Sequence, residues 1–461
     1  MLQSIELPDC IYFAEQPITI TPCAPTPNHS LYLSNIDDQK FLRFSIKYFY
    51  LFKKSVSFEI LKSSLSRVLV DYYPLAGRLR TSCVHEQKLE VDCNGEGALF
   101  AEAFMDTTAE ELLESCKVPN KSWKRFLYKV EAQSFFDIPP LVVQVTSLRC
   151  GGMILCTAIN HCLCDGIGTS QFLHAWAQLT TAKSHSDFTI IPFHFRHVLN
   201  PSQPPQVKFP HPAYTNTAPN PNPNPHLHLF NFIQSQPLVP TSFTFHPNHL
   251  HFLKKKCAPL LNCTTFEAVA AHTWRSWVKS FHQKLPPTLV MKLLFSVNIR
   301  SKFNLPKGYY GNGFLLACAE SSVRELVVPN LHHGVKLVQG AKEKMNDSEY
   351  IRSMIDLFED RRVEPDLSTS LVISQWSKMG LEEVDFGEGK PLHMGPLTSE
   401  VYCLFLPDIG NVNSVRVLVS VPESMVESFQ YHMNQSYGKD TEEENGDVVK
   451  GTNGFHSEEN G

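Results

Sequence analysis

Long hydrophobic runs are missing from this chain. No stretch of about 18 uninterrupted apolar residues occurs, so a membrane-spanning helix is not indicated. The opening residues, Met1 to Asp9, carry acidic side chains and a proline where a secretory leader needs a basic and then an apolar segment. Positive charge is not in excess either: 41 Lys and Arg stand against 46 Asp and Glu, a net charge of -5. With no basic stripe, a nucleic-acid partner is disfavoured. The 13 cysteines are odd in number and lack disulfide or metal-ligand spacing. Free buried thiols and a cytoplasmic location are therefore the expectation. Without a leader, the glycosylation patterns at Asn28, Asn262, Asn346 and Asn434 carry little meaning. A Gly-x-Ser-x-Gly elbow is also absent, which argues against a serine hydrolase.

What is present is globular: 461 residues, 43% hydrophobic and 19% charged, enough for two domains of ordinary size. Phe58, Leu61, Leu65, Val68 and Leu69 recur at helical spacing, and Tyr73-Pro-Leu-Ala-Gly-Arg78 ends that helix. Hairpins are predicted at Leu89 to Ala101, turning on Asn94-Gly95, and at Leu141 to Ile159, turning on Gly151-Gly152. From residue 182 to 247, Pro, Asn and His accumulate around the run 218–225, which reads as an extended crossover. Its His226 and His228 offer no closed metal-ligand set. Thr264 and Glu267 form a capping box that opens a helix through Lys279. Strands follow at Leu289 to Val297, Tyr402 to Leu406 and Val415 to Val421. The organisation is thus two mixed α/β halves, 1–181 and 248–437, joined by the 182–247 linker. An acidic, polar tail at 438–461 is expected to be disordered.

The stretch with chemistry is Asn160-His161-Cys162-Leu163-Cys164-Asp165-Gly166, between an apolar strand and a helix that Thr169 or Ser170 can cap. A histidine on a loop at a strand end is placed to meet a ligand, and its ordinary pKa near 6.5 lets it accept a proton at cellular pH. The alternative reading is a core histidine and a capping aspartate, and the spacing alone does not separate the two. A zinc site on His161, Cys162, Cys164 and Asp165 fails, because neighbours on so short a loop cannot surround one ion.

Four ordered elements resemble the BAHD acyltransferases. His161-Cys-Leu-Cys-Asp165-Gly166 is similar to that family's HxxxDG motif, and Tyr73 to Arg78 to its YPLAGR element. Asn298-Ile-Arg300-Ser-Lys302 with Gly308-Tyr-Tyr-Gly-Asn312 resembles NVRxR and GYFGN. Asp385-Phe-Gly387-Glu388-Gly389-Lys-Pro391 resembles DFGWGKP, with Glu388 in the place of tryptophan.

The resemblance implies an α/β fold of two chloramphenicol-acetyltransferase-like domains, each a mixed sheet flanked by helices, with a solvent channel between them. It implies acyl transfer from a coenzyme A thioester to an alcohol or amine, with acyl-CoA as co-substrate and no bound metal. His161 matches the general base, while Asp165 and Gly166 shape its loop and Arg300 is the expected partner of Asp165. Ser374 and Trp376 match the acceptor side, Trp376 being readable equally as core packing. Asp385, Gly387 and Gly389 match a loop that supports the fold and donor binding. Lys254 to Lys256 are a candidate coenzyme A contact, though a solvated helix end fits them better. No basic residue stands out near His161, so a neutral donor, hydroxycinnamoyl or another aromatic or aliphatic acyl group, is expected. The family's habit makes the protein a monomer acting on small molecules. A non-catalytic accessory of the same fold, serving lipid or wax synthesis, is the alternative that Glu388 leaves open.

Overall fold

The structure, a computed structural model, describes residues 6–84, 87–115, 118–119, 121–181, 189–217, 232–233, 235–328, 331–398, 403–411 and 413–435. The run 218–225, His226, His228 and the 438–461 tail lie outside these described residues.

Met-Ile-Leu-Cys-Thr-Ala-Ile-Asn forms the strand Met153–Asn160, buried at every position, as a strand covered on both faces must be. It is central to a seven-stranded sheet. Leu141–Leu148 lies on one side, antiparallel with Ser147 opposite Met153, which is the hairpin the Gly151-Gly152 turn predicts. Ser45–Phe52 lies on the other side, with Ser45 opposite Asn160. The helix Phe58–Asp71 buries Leu61, Leu65, Val68 and Leu69 completely. Each such side chain contributes roughly 1.5–3 kcal/mol relative to exposure. The helix Gly166–Thr181 lies against it, and the Trp176 indole donates to Leu61 O at 3.2 Å and Ser64 Oγ at 3.0 Å.

The second sheet has six strands, in the order Leu238–Phe245, Val415–Pro422, Cys403–Pro407, Ser370–Gln375, Val290–Asn298 and Phe314–Ser322. Helix Thr265–Phe281 opens on the expected capping box. Thr264 N donates to Glu267 at 2.9 Å and Glu267 N to Thr264 Oγ1 at 3.3 Å.

Three local expectations change. Leu89–Asp92 does not form a hairpin with Ala98–Met105; it pairs with Ser30–Tyr32 and Arg78–Thr81 in a separate three-stranded sheet. Both of its edges are occupied, and the chain crosses through Gly97 (φ +101°) into the large sheet, where it runs parallel to Leu141–Leu148. Leu238–Phe245, read as linker, pairs along its whole length with Val415–Pro422. The helix after His161 starts at Gly166, and Asp165 rather than Thr169 or Ser170 receives the first-turn amide, Gly168 N at 2.9 Å.

The halves interlock. His393–Pro396 leaves the second half and pairs with Tyr48 to Leu51 at the edge of the first sheet. Tyr310 and Trp376 pack into the core of the first half, Trp376 meeting Tyr48 in a tilted contact at 4.9 Å between ring centres. The His161 loop therefore ends up against residues 298–314 of the second half. Among the described residues no helix is long and apolar enough to cross a membrane.

Candidate active site

His161 directly follows the central strand, and its backbone N–H extends the sheet ladder to Phe44 O at 2.8 Å. The loop is pinned at each step. Asn160 accepts from Cys162 N at 3.0 Å, Asn312 Nδ2 donates to His161 O at 2.7 Å, and Arg196 donates to Leu163 O at 3.0 Å. Burial pushes the Cys162 and Cys164 thiols up, so neither supplies a thiolate.

Asp165 meets Arg300 in a two-pronged ion pair, 2.8 Å on each oxygen, and also accepts from Gly168 N at 2.9 Å and Gly313 N at 3.0 Å. Burial alone would raise its pKa. The Arg300 charge and these hydrogen bonds outweigh that and hold the carboxylate below its ordinary value. Arg300 also donates to Tyr309 O and Gly311 O, tying three segments together. Both oxygens of Asp165 are thus engaged within the protein.

The first turn of the helix after this loop requires glycine at one of its two glycine positions. A Cβ on Gly168 would lie 1.8 Å from Tyr310 O, a backbone atom with no room to yield. A Cβ on Gly166 would lie 2.2 Å from Met379 Sδ, a flexible side-chain end that can move.

The His161 ring is half-buried, flanked by Phe44 at 5.4 Å and Phe314 at 5.9 Å between centres. Burial pulls the imidazole below its ordinary pKa, so the ring is neutral at cellular pH. Nδ1 is sealed from solvent, leaving Nε2 as the nitrogen that the adjoining cavity can reach. That cavity holds about 260 Å³. Ile46, Tyr48, Phe314, Trp376 and Met379 form its apolar wall, with the polar side chains of Ser296, Ser374 and Gln375 among them. Asp165, Asn298, Arg300 and Lys378 complete the polar side, and a lining that is part apolar and part polar suits a small organic substrate. A larger open hollow of about 530 Å³ adjoins it across Ile167 and Arg300, with Ser301 and Lys307 on its walls.

His161, Asp165, Gly166, Arg300, Ser374 and Trp376 are thus brought together from three separate stretches of sequence. Trp376 both lines the cavity and packs in the core, at 6% exposure. Asp385, Gly387 and Gly389 line neither cavity. Asp385 instead closes its own loop by accepting from Gly387 N at 2.7 Å and Gly389 N at 3.0 Å. Glu388 is exposed and pairs with Lys54 at 3.3 Å, so the missing tryptophan leaves the cavity untouched. Lys254 to Lys256 also lie apart from both cavities, Lys256 resting on the Phe252 ring. Contrary to the expectation of no basic residue near His161, the turn after Ser370–Gln375 brings Lys378 to the cavity lining. Asp37 and Arg196 were missed as well, since polar residues in loop-like stretches give no sign of burial. Among the described residues no group of three or more His, Cys, Asp or Glu gathers around a common point.

The model of the family described as the Transferase family matches residues 15–436. A fatty alcohol:caffeoyl-CoA acyltransferase of Arabidopsis thaliana is 35% identical, the match covering 93% of this chain and 99% of that protein. The omega-hydroxypalmitate O-feruloyl transferase of the same plant is 35% identical over 90% and 91% of the two chains. Among solved structures, vinorine synthase superposes with a TM-score of 0.68 at 20% identity, covering 91% of this chain and 96% of its own. F. sporotrichioides TRI101, complexed with coenzyme A and T-2, reaches 0.73 at 16% identity over 87% and 97%. These likenesses establish the two-domain chloramphenicol-acetyltransferase-like α/β fold, and the chain belongs to the Transferase family, the BAHD acyltransferases.

Proposed function

We propose that this protein transfers an acyl group from a coenzyme A thioester to the hydroxyl of an alcohol, with His161 as general base and no covalent intermediate. The observation that carries the reading is the ring of His161: neutral, sealed at Nδ1 and facing with Nε2 a cavity of mixed apolar and polar lining. A thioester carbonyl is already electrophilic, so the protein's task is to deprotonate the attacking hydroxyl in a place that excludes water. Nε2 takes that proton as the oxygen–carbon bond forms; when the carbon–sulfur bond breaks, the proton passes to the departing thiolate. Ser374 Oγ, in the same lining, is assigned to the tetrahedral oxyanion or the acceptor hydroxyl. Asp165, Gly166 and Arg300 hold the loop and take no proton.

The donor is a hydroxycinnamoyl or other neutral acyl group and the acceptor a fatty alcohol or hydroxy acid. Relatives whose names carry caffeoyl and feruloyl groups and fatty acceptors support this choice. Lys378 at the lining leaves room for an acidic group on one substrate. Residues 1–181 and 238–437 serve as the two acyltransferase domains of a cytoplasmic monomer, the second starting with the Leu238–Phe245 strand and the His393–Pro396 strand crossing between them. His161 and Asp165, both present at the cavity, favour the enzyme over the accessory reading.

The test is release of coenzyme A thiol by purified protein given a panel of acyl-CoAs crossed with alcohols and amines. Alcohol-dependent release supports the reading. Folded protein that stays silent across the panel contradicts it.

A further inference from the structure

One row of side chains runs across four neighbouring strands of the second sheet beside the His161 cavity. Leu404 pairs with Ser374 and Leu316 with Ser296, while Ser374 and Ser296 each directly follow the paired residues Ile373 and Phe295 of two parallel strands. Side chains alternate along a strand, and Ile373 and Phe295 are buried in the core of the second half. Both serines therefore face the other way, and both line the cavity together with His161. The row reads leucine, serine, serine, leucine, with the two leucines at 7% and 4% exposure.

Neither serine hydroxyl has a hydrogen-bond partner among the described residues. Polar groups set among buried apolar neighbours are ordinarily paired, so this open pair points to a partner that arrives with the substrate. The other polar side chains of the lining are committed or exposed. Arg300 spends its N–H groups on Asp165, Tyr309 O and Gly311 O. Asn298 Oδ1 accepts from Arg300 N at 3.0 Å, Gln375 Nε2 donates to Ser377 Oγ at 3.4 Å, and Lys378 is exposed. Neighbouring strands lie about 4.8 Å apart and an O–H···O bond spans about 2.7–2.8 Å, so one oxygen atom between the two serines can accept from both. Ser296 is on the strand between those of Ser374 and Phe314, and the Phe314 ring meets the His161 ring at 5.9 Å between centres. The place between the serines is thus displaced from Ser374 toward the strand that His161 touches.

We propose that Ser296 is a further catalytic residue: its Oγ–H, with that of Ser374, donates to the carbonyl oxygen of the acyl thioester. The inference deepens the proposed reaction and rests on it. As the acceptor oxygen bonds to the carbonyl carbon, its proton goes to Nε2 of His161 and the C=O π pair moves onto the carbonyl oxygen. The two hydroxyls meet that charge where it forms. When the C=O bond re-forms, the carbon–sulfur bond breaks and the proton passes from Nε2 to the thiolate.

The experiment compares wild type with Ser296→Ala and Ser296→Thr, each shown to be folded by thermal melting, in steady-state release of coenzyme A thiol. One hydrogen bond to a developing charge is worth about 10-fold to 10²-fold, and Ser296→Ala should lose that factor in kcat. The values of kcat/KM for acyl-CoA and for the alcohol should fall equally, as for an interaction made only in the transition state. Ser296→Thr keeps the donor and should stay within about threefold of wild type. A folded Ser296→Ala with kcat within about twofold of wild type overturns the proposal. So does a loss confined to KM for the alcohol, which would put the hydroxyl on the acceptor. A second readout needs no turnover: the carbonyl stretch of bound cinnamoyl-CoA, isolated by a 13C label in Raman difference spectra. It should move to higher wavenumber in Ser296→Ala, where one donor is gone, and an unmoved band overturns the proposal. Persistent activity in His161→Ala would strike at the base assignment instead, while the Ser296 variants still report on the carbonyl oxygen.

Discussion

Asp165→Ala is the perturbation whose size the structure sets most clearly. The carboxylate is buried at 7% side-chain exposure, its Arg300 partner at 15%. Removing the carboxylate deletes four contacts and leaves a guanidinium without its counter-ion, a change that costs 3–5 kcal/mol when no acceptor remains. Arg300 keeps Tyr309 O and Gly311 O, which places the expected loss near the lower end, about 3 kcal/mol. The carboxylate pKa is depressed in the folded state, so the stabilisation is fully present above the ordinary value of about 3.9 and fades as pH falls through the folded value. Urea denaturation of wild type and Asp165→Ala at pH 7 reads the difference, and Arg300→Ala with the double variant completes the cycle. Activity should fall with the displaced loop, in contrast to His161→Ala, where the fold persists. A midpoint within error of wild type would refute the anchoring role of the pair.

Three further outcomes follow from the site. The His161 pKa is lowered, so its base form persists below the ordinary value; the acidic limb of kcat/KM against pH should fall below about pH 6.5, and a limb above that value contradicts the burial argument. Gly168→Ala forces backbone apart at Tyr310 and should destabilise by more than about 3 kcal/mol. Gly166→Ala only displaces Met379 and should cost about 1 kcal/mol while narrowing the cavity, a ranking that thermal melts and KM values check. Lys378→Ala should leave transfer of a neutral acyl group to a neutral alcohol within about twofold and weaken only substrates with an acidic group, which paired KM measurements resolve.

The His161 loop was legible because its chemistry is local: strand, histidine, aspartate and glycine follow one another within a few residues. Arg300 was named from the resemblance, and the ion pair it makes is visible only in the fold. Ser34-Asn35-Ile36-Asp37-Asp38-Gln39 was not legible, since by composition it reads as a solvated turn. It is buried because its charges are met: Arg196 faces Asp37 at 4.0 Å while Asn312 hydrogen-bonds to it, and Arg43 and Arg361 pair with Asp38. His393–Pro396 carries no local sign of which sheet it joins, because four residues with a proline and a glycine satisfy either edge. Lys378 was missed for a similar reason: its place at the cavity depends on the turn that follows Gln375, not on anything near His161 in the chain.

The most direct measurement compares wild type with His161→Ala, both shown to be folded by thermal melting, in acceptor-dependent release of coenzyme A thiol. A positioned base contributes at least about 10²-fold, so the variant should retain less than about one hundredth of wild-type kcat with an unchanged melting curve. A folded variant that keeps more than about one tenth of the activity would contradict His161 as the base.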